Sequence, residues 1–324
     1  MTKKIIIRLS NSIGNQMFMY SAAYSMAKKL NAQLFVDDET AFVDKESLYT
    51  YGLNTFSFTS SIAPKDLKFL NITGYLKRKA MKKLDIFKKY KSFYIEQKDK
   101  KKITSYSSAF NNANFNDNVF VEGYFESERY FSSYNQEIRN EFIFKFSDKY
   151  INSPYFNMIK NSNSVAICVR QNRFSEKLRK ISQEDLDKSQ KFTNEQILYI
   201  KKSIDLIKTR VDKPKFFIWS NDYNNLDNFF QGDEFDIVKN EKFIDKKNLE
   251  FMDLFLMSQA KHFIVVPSSF NWWGCWLSNN KNKIVCRPNE DRFSHYKSNG
   301  NLFSHSISSI DLSQLLYRYL LQLK

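Results

Sequence analysis

Short runs of β-branched and aromatic residues alternate along this chain with longer stretches in which apolar side chains recur every three to four positions. "KIIIRL" (4–9) ends at Ser10, Asn11 and Ser12 and reads as a strand. Residues 16–30 then put Phe18, Ala22, Met26 and Leu30 on one helical face, and "AQLFVDD" (32–38) reads as the next strand. Strand, Asn/Gly turn, helix and strand make a βαβ opening whose turn lies at the carboxyl end of the first strand. The same rhythm restarts further on. "VAICVR" (165–170), "KFFIWSND" (215–222), "EFDIV" (234–238), "HFIVVP" (262–267) and "NKIVCRP" (282–288) read as strands. Helices are predicted over 193–210, with Ile197, Ile200, Ile204 and Ile207 inward, over 249–260, and from 269 to 278. Residues 311–324 carry a closing stripe of Leu312, Leu315, Leu316, Tyr319, Leu320 and Leu323.

The middle breaks this rhythm. Residues 65–102 read as helical and basic, 103–118 as a Ser/Asn-rich loop, and "VFVEGYFESERYF" (119–131) as a strand and turn leading into a short helix. The polar, turn-rich 150–164 reads as a hinge. The expected organisation is therefore an N-terminal domain over 1–160 carrying a basic helical insertion at about 65–102, and a C-terminal domain over 161–324 closed by its last helix. Each has a parallel sheet, the Rossmann-like α/β class. In such open sheets ligands sit beyond the carboxyl ends of the strands.

Composition narrows the chemistry. With 324 residues, 42% of them hydrophobic, and 31 Phe, the chain has material for large cores. Its seven Gly form neither G-x-G-x-x-G nor G-x-x-x-x-G-K-[ST], which removes the usual glycine-rich phosphate loops. Cys168, Cys275 and Cys286 lack a C-x-x-C spacing and read as reduced core residues; with only His262, His295 and His305 besides, no metal site is expected. Asp185 and Asp187 form the single D-x-D, in a polar stretch that reads as a solvated helix face. The net charge of +15 is uneven: 77–102 holds twelve Lys/Arg against three acids. There Leu76, Ala80, Leu84 and Phe87 recur at helical spacing. Either a solvated basic helix covers a core, or this surface approaches anionic lipid or an acidic substrate; nucleic acid is the third reading. No apolar run approaches the roughly 20 residues of a membrane span, and no signal segment opens the chain, so a cytoplasmic protein is expected.

Candidate binding residues cluster at strand-to-helix turns. Ser268 and Ser269 open a helix, and read either as a cap or as hydroxyls that join the free N–H groups of the first turn in holding an anion. Trp272, Trp273 and Trp276 follow within one helical stretch. Arg170 ends its strand and could grip a phosphate. Asp222, and Asp253 on an apolar helix face, could accept N–H groups of a guanine or ribose hydroxyls, and Asp253 needs some partner because burying it alone is costly.

Four stretches carry a family resemblance. "SNSIGNQMFMYSAA" resembles the G-x-G-N-Q-x-F-x-Y-A opening of the glycosyltransferase family 11 α-1,2-fucosyltransferases, and "GYFESERYF" (123–131) their G-Y-F-Q-S-E-x-Y-F. "FFIWSND" resembles F-x-x-F-S-D-D, and "DLFLMSQAKHFIVVPSSFNWWGCWLS" resembles D-L-x-L-M-S-x-C-x-H-x-I-I-A-N-S-S-F-S-W-W-x-A-W-L. The family's H-x-R-R-x-D-Y corresponds to "CVRQNRF" (168–174), which keeps Arg170 but has Cys168, Gln171 and Arg173 in place of the His, second Arg and Asp.

The resemblance implies a GT-B fold with two domains facing a cleft, GDP-β-L-fucose as donor, inversion at the anomeric carbon, and neither metal nor cofactor. It implies that Arg170 grips the β-phosphate, and it offers Glu176 as general base. The donor set it suggests is Asn15, Gln16, Arg173, Ser220, Asp222, Asp253, Ser268, Ser269, Phe270, Asn271 and Trp272, with Trp272 the tryptophan nearest the ligand. The acceptor would be a galactose-type hydroxyl of a surface glycan such as an O-antigen or capsule repeat. The basic stretch would then approach a lipid-linked acceptor from the cytoplasmic face of the inner membrane. A different nucleotide sugar on the same scaffold, and a basic nucleic-acid-binding protein, are the alternatives.

Overall fold

A computed structural model describes residues 2–43, 49–97, 106–111, 115–145, 147–176, 178, 180–287 and 309–311. The described residues divide into two compact units, one over 2–145 and one over 147–287 with 309–311. The division falls ahead of the expected 160.

The first unit holds β1 (Lys4–Arg8), α1 (Ile13–Lys29), β2 (Gln33–Asp37), β3 (Ser61–Ile62), α2 (Asn71–Asp85), β4 (Lys91–Ile95), β5 (Phe115–Glu122) and α3 (Asn135–Glu141). Its sheet runs β3-β2-β1-β5-β4, with every pairing parallel. Ile5, Ile6 and Ile7 are all buried, as a strand covered on both faces requires. Asn11 takes a left-handed φ of 62° between β1 and α1. Asn31, Asn71, Asn172 and Asn225 do the same elsewhere, so in this glycine-poor chain asparagine makes many of the tight turns.

The stretch 65–102 is not one helical insertion. After α2 the chain adds β4, an integral edge strand, because Phe93 packs on Phe69 and Phe120. Its last residues, 98–102, lie outside the described ones. The face of α2 also differs from the core-covering reading: Leu76, Ala80, Leu84 and Phe87 are exposed. Its inward face is polar, with Arg78 and Lys82 both paired to Glu122 and Asp85 accepting the backbone N–H groups of Ser92 and Phe93.

The second unit comprises α4 (Ser147–Ile151), α5 (Pro154–Asn161), β6 (Asn163–Val169), α6 (Gln183–Lys208), β7 (Pro214–Ser220), α7 (Leu226–Phe229), β8 (Phe235–Ile237), α8 (Lys246–Ser258), β9 (His262–Ile264), α9 (Ser269–Leu277), β10 (Val285–Arg287) and β11 (Ser309–Asp311). Its parallel sheet runs β11-β10-β9-β6-β7-β8. The expected hinge over 150–164 is instead largely helical. Ser153 accepts the Tyr155 N–H as a cap, Pro154 sits in the first turn of α5, and Tyr150 and Ile159 are buried beneath the polar positions. Helix α6 begins ten residues before the predicted 193, because Ser182 and Asp185 form a reciprocal capping box. That box absorbs the first carboxylate of the D-x-D, while Asp187 accepts a bond from Gln183. Val165, Ile167, Ile200, Ile204, Ile207, Phe216, Ile218 and Ile264 join one core under the sheet. Of the predicted closing helix over 311–324, Asp311 instead ends β11, and 312–324 lie outside the described residues.

Candidate functional site

Strands β6 and β9 are parallel neighbours, with Ile167 opposite Ile264, so Arg170 and the 267–269 turn both emerge at carboxyl ends in the middle of the sheet. Pro267 ends the apolar run, and α9 starts with Ser268 at its N-cap in extended conformation. The hydroxyl of Ser268 makes no capping bond. The first-turn N–H groups therefore lack the usual side-chain acceptor, and the helix end is suited to an anion. Ser268, Ser269 and Phe270 are part-exposed, whereas Asn271 and Trp272 are buried.

The tryptophans explain why this helix start is rigid. Trp272 stacks on Trp276 at 5.9 Å, and Trp273 meets both edge-on, at 4.8 and 5.1 Å. All three are at most 2% exposed. Trp272 is thus a core residue and not the ligand-side ring expected of it: the side chain that reaches solvent beside it is Phe270. A Cβ on Gly274 would come within 2.4 Å of the Met257 sulfur, so its missing side chain is what lets α9 close on α8.

Arg170 is held at both its backbone and its head. Gln196 of α6 accepts the Arg170 N–H at 2.8 Å and donates to its carbonyl at 2.9 Å. The guanidinium Nη2 donates to Glu176 at 2.6 Å, and Arg173 lies 3.8 Å from the same carboxylate oxygen. Asn221 donates to the other Glu176 oxygen at 3.3 Å. Glu176, expected as general base, is an ion-pair partner of two arginines. Arg170 Nε is buried with no hydrogen-bond partner.

Two further buried donors stand close by. Asn271 Nδ2 and Trp219 Nε1 have no partner at hydrogen-bond geometry. Asn271 and Arg170 both lie within electrostatic reach of the Cys168 thiol, whose pKa is pushed up by burial and then by Asp253. Asp253 itself is pushed up to about 7, first by burial and then by Glu241 and Glu250, against the bond it accepts from Asn240 at 2.7 Å and the pull of Trp219. The partner it needs is, within the protein, the Asn240 amide. Asn271 leans on the Cys168 thiol and Trp219 on the Asp253 carboxyl, each lowering that group's pKa through a weak side-chain contact, so with the unpartnered Arg170 Nε these residues form one patch of under-used buried donors in the second unit.

Other predicted residues serve the loops. Gln171 donates to the carbonyls of Asp222 and Asn224, at 2.6 and 3.1 Å, and exchanges two bonds with Asn221. Asn172, at a left-handed φ of 55°, donates to Asp222 at 2.7 Å. Ser220 donates to the Asp222 carbonyl within the same turn at 2.5 Å. Asp222 is therefore committed to fastening the 170–176 loop to the 220–225 loop, while Ser220 closes the turn that presents it. Gln171, where the family pattern has its second Arg, is the staple between them.

In the first unit, Asn15 donates to Glu126 at 2.7 Å and accepts from Ser12 at 3.0 Å, part-exposed at the carboxyl edge of β1. Gln16 differs from expectation. It is fully buried, donates to the carbonyls of Asn11 and Thr50 and accepts the Gly52 N–H, so its amide is spent on holding the 50–52 loop. Two residues at this edge escaped the sequence reading. Arg8 ends β1 as Arg170 follows β6, and burial followed by Arg78 lowers its pKa while its Nε is unpartnered. Glu126 stands where the family motif has Gln. The strand-terminal position that singled out Arg170 was equally available for Arg8.

The family model described as Glycosyl transferase family 11 matches residues 54–303. The chain belongs to that family. It is a glycosyltransferase of two parallel-sheet α/β units, the GT-B type of architecture. The Alpha-1,2-colitosyltransferase of Escherichia coli is 25% identical over 288 residues, spanning 88% of this chain and 91% of that one. The O-antigen biosynthesis glycosyltransferase WbnK of Escherichia coli is 25% identical over 293 residues, 86% and 92% of the two chains. Among solved structures, fucosyltransferase NodZ from Bradyrhizobium superposes with a TM-score of 0.50 at 12% identity, covering 85% of this chain and 93% of its own. A mutant of Arabidopsis thaliana FUT1 in complex with GDP gives 0.51 at 11%, covering 90% and 72%. Among the described residues no group of three or more His, Cys, Asp and Glu is arranged to hold a metal, and no helix is long and apolar enough to cross a membrane.

Proposed function

We propose that this family 11 chain transfers L-fucose, or a close deoxy relative of it, from the GDP-linked sugar to a galactose-type hydroxyl of a surface glycan, in α-1,2 linkage and with inversion. The observation that carries the proposal is the pairing of Arg170, its Nε unpartnered, with the uncapped start of α9 on the neighbouring strand tip. The acceptor hydroxyl attacks C1 as the C1–O bond to the diphosphate breaks, and its proton is released to solvent water as the new glycosidic bond forms. The charge that develops on the β-phosphate is met by the Arg170 guanidinium and the N–H groups after Ser268 and Ser269, positioned before the reaction starts. No metal enters this scheme. Asp253, Asn271 and Phe270 border the donor, and Glu176 orients Arg170 instead of acting as base. Asn15 and Glu126 are assigned to the acceptor side.

The relative named as a colitosyltransferase, together with Cys168 in place of the family's His, supports the second reading, in which the donor sugar is colitose, L-fucose without its 3-hydroxyl. Turnover with GDP-fucose, GDP-colitose and UDP-galactose decides between them. Activity with either GDP-sugar, and a loss of about 10²–10³ in rate for Arg170→Ala, is the expected result. Preference for the UDP-sugar, or near-normal turnover in the variant, overturns the assignment.

A further inference from the structure

Helix α2 is mounted with its usual sides exchanged. Its inward side is fixed by polar contacts. Arg78 Nε donates to Glu122 at 2.6 Å, Lys82 pairs with the same carboxylate, and Asp85 accepts N–H bonds from Ser92 and Phe93 at 2.7 and 3.0 Å. Burial raises the Glu122 pKa, but the two cations outweigh it and hold the group below its ordinary value, charged against the helix. A Cβ on Gly74 would lie 2.5 Å from the Phe69 backbone, so the first turn closes tightly on the segment that enters it, and Phe69 is itself packed on Phe93 and Phe120. These constraints leave the orientation of α2 little freedom.

The outward side carries the apolar residues. Ile72, Tyr75, Leu76, Leu84, Ile86, Phe87 and Tyr90 are between 50% and 87% exposed. Lys77, Lys79, Lys83, Lys88 and Lys89 are exposed among them. The single acid in 71–90 is Asp85, and it is buried on the opposite side. A helix that only solvated a core would show the reverse arrangement.

We propose that the outward face of α2 and the following 86–90 turn is a docking surface for anionic phospholipid, lying flat with Ile72, Leu76, Ile86 and Phe87 in the acyl boundary and the lysines reaching up to the headgroups. Charge selects this occupant. A second copy of the same face would oppose lysines to lysines, and a nucleic acid backbone offers no apolar surface for Ile72, Leu76 and Ile86. The helix, about 22 Å long at 1.5 Å per residue, is too short to cross a bilayer but suits the interface. The inference rests on α2 alone and stands or falls independently of the donor assignment.

Flotation of the full chain with phosphatidylcholine vesicles, with and without phosphatidylglycerol, tests it. Binding to the anionic vesicles only, weakened by salt, is expected. Lys79→Gln with Lys83→Gln lowers the partition coefficient about 10- to 30-fold. Ile86→Ser with Phe87→Ser lowers it more than about tenfold. Both pairs alter exposed side chains and leave the Glu122 contacts intact; an unchanged circular dichroism spectrum and melting midpoint confirm that each variant is folded, and the charge pair alone suffices if the apolar pair is not. Failure to float, equal binding to neutral vesicles, or variants that float like the parent overturn the proposal. So does an apolar variant whose effect is on concentration-dependent mass in sedimentation, or a face that retains an oligonucleotide in preference to the vesicles.

Discussion

Replacing Asp253 by Asn sets stability against binding, and the structure gives the size of both effects. Asp253 is pushed up to about 7, chiefly by burial, from an ordinary carboxylate value of about 3.9. Between those two pH values the folded chain holds a proton that the unfolded chain has released, so stability falls as pH rises through that window. Above about pH 7 the whole penalty is present; below about pH 4 none of it is. Three pH units correspond to about 4 kcal/mol as a ceiling. The carboxylate is part-exposed and accepts a bond from Asn240, so about 2 kcal/mol is a fairer figure. Asparagine keeps the acceptor oxygen for Asn240 and never ionises. Asp253→Asn should therefore be more stable than the parent by about 2 kcal/mol at pH 8, and indistinguishable from it at pH 4. Denaturant unfolding at the two pH values, followed through the tryptophans, all four of which lie in the second unit, measures this. The same change should weaken GDP by about tenfold or more if the carboxylate accepts a guanine or ribose hydrogen. A variant destabilised at pH 8, or stabilised equally at both pH values, refutes the electrostatic reading of this residue.

Gln16→Ala takes the partner from the part-exposed Asn11 and Thr50 carbonyls and from the buried Gly52 N–H, and should cost about 1–3 kcal/mol. Hydrogen exchange should show the loss in the first unit, and an undisturbed 50–52 loop would count against the positioning role. Gly274→Ala drives a methyl toward Met257 and should destabilise the second unit by about 1–3 kcal/mol in thermal melting. Melting unchanged within error would mean that α8 and α9 have slack the packing does not show.

The repeated alternation of strand and helix was legible because buried parallel strands leave short β-branched runs, and the helices between them keep a period near 3.6. Short edge strands leave no such mark, which is why β3 and β4 were missed: "KSFYI" follows a basic helical pattern, and its partners Phe69 and Phe120 are far along the chain. For α2 the period revealed a stripe but not its direction; only Glu122, from another strand, shows that the polar side faces in. The placement of Arg170 and Ser268 at neighbouring strand tips was readable from the sequence, but the loop-holding bonds of other polar residues were not. Gln16, Asp222 and Glu176 could not be assigned, because a polar side chain that grips a ligand and one that grips a neighbouring loop look alike until the loop is in place. Asp253 stood out in the sequence by its cost, a carboxylate on an apolar face, and the structure keeps that cost visible as a raised pKa.

The measurement that bears most directly on the account is a crystal structure of the protein with GDP bound. It should place β-phosphate oxygens about 3 Å from the Arg170 guanidinium and from the first-turn N–H groups of α9, with Glu176 displaced from at least one arginine contact. A diphosphate seated elsewhere, with the Arg170–Glu176 pair and the Ser268–Ser269 turn untouched, would contradict it.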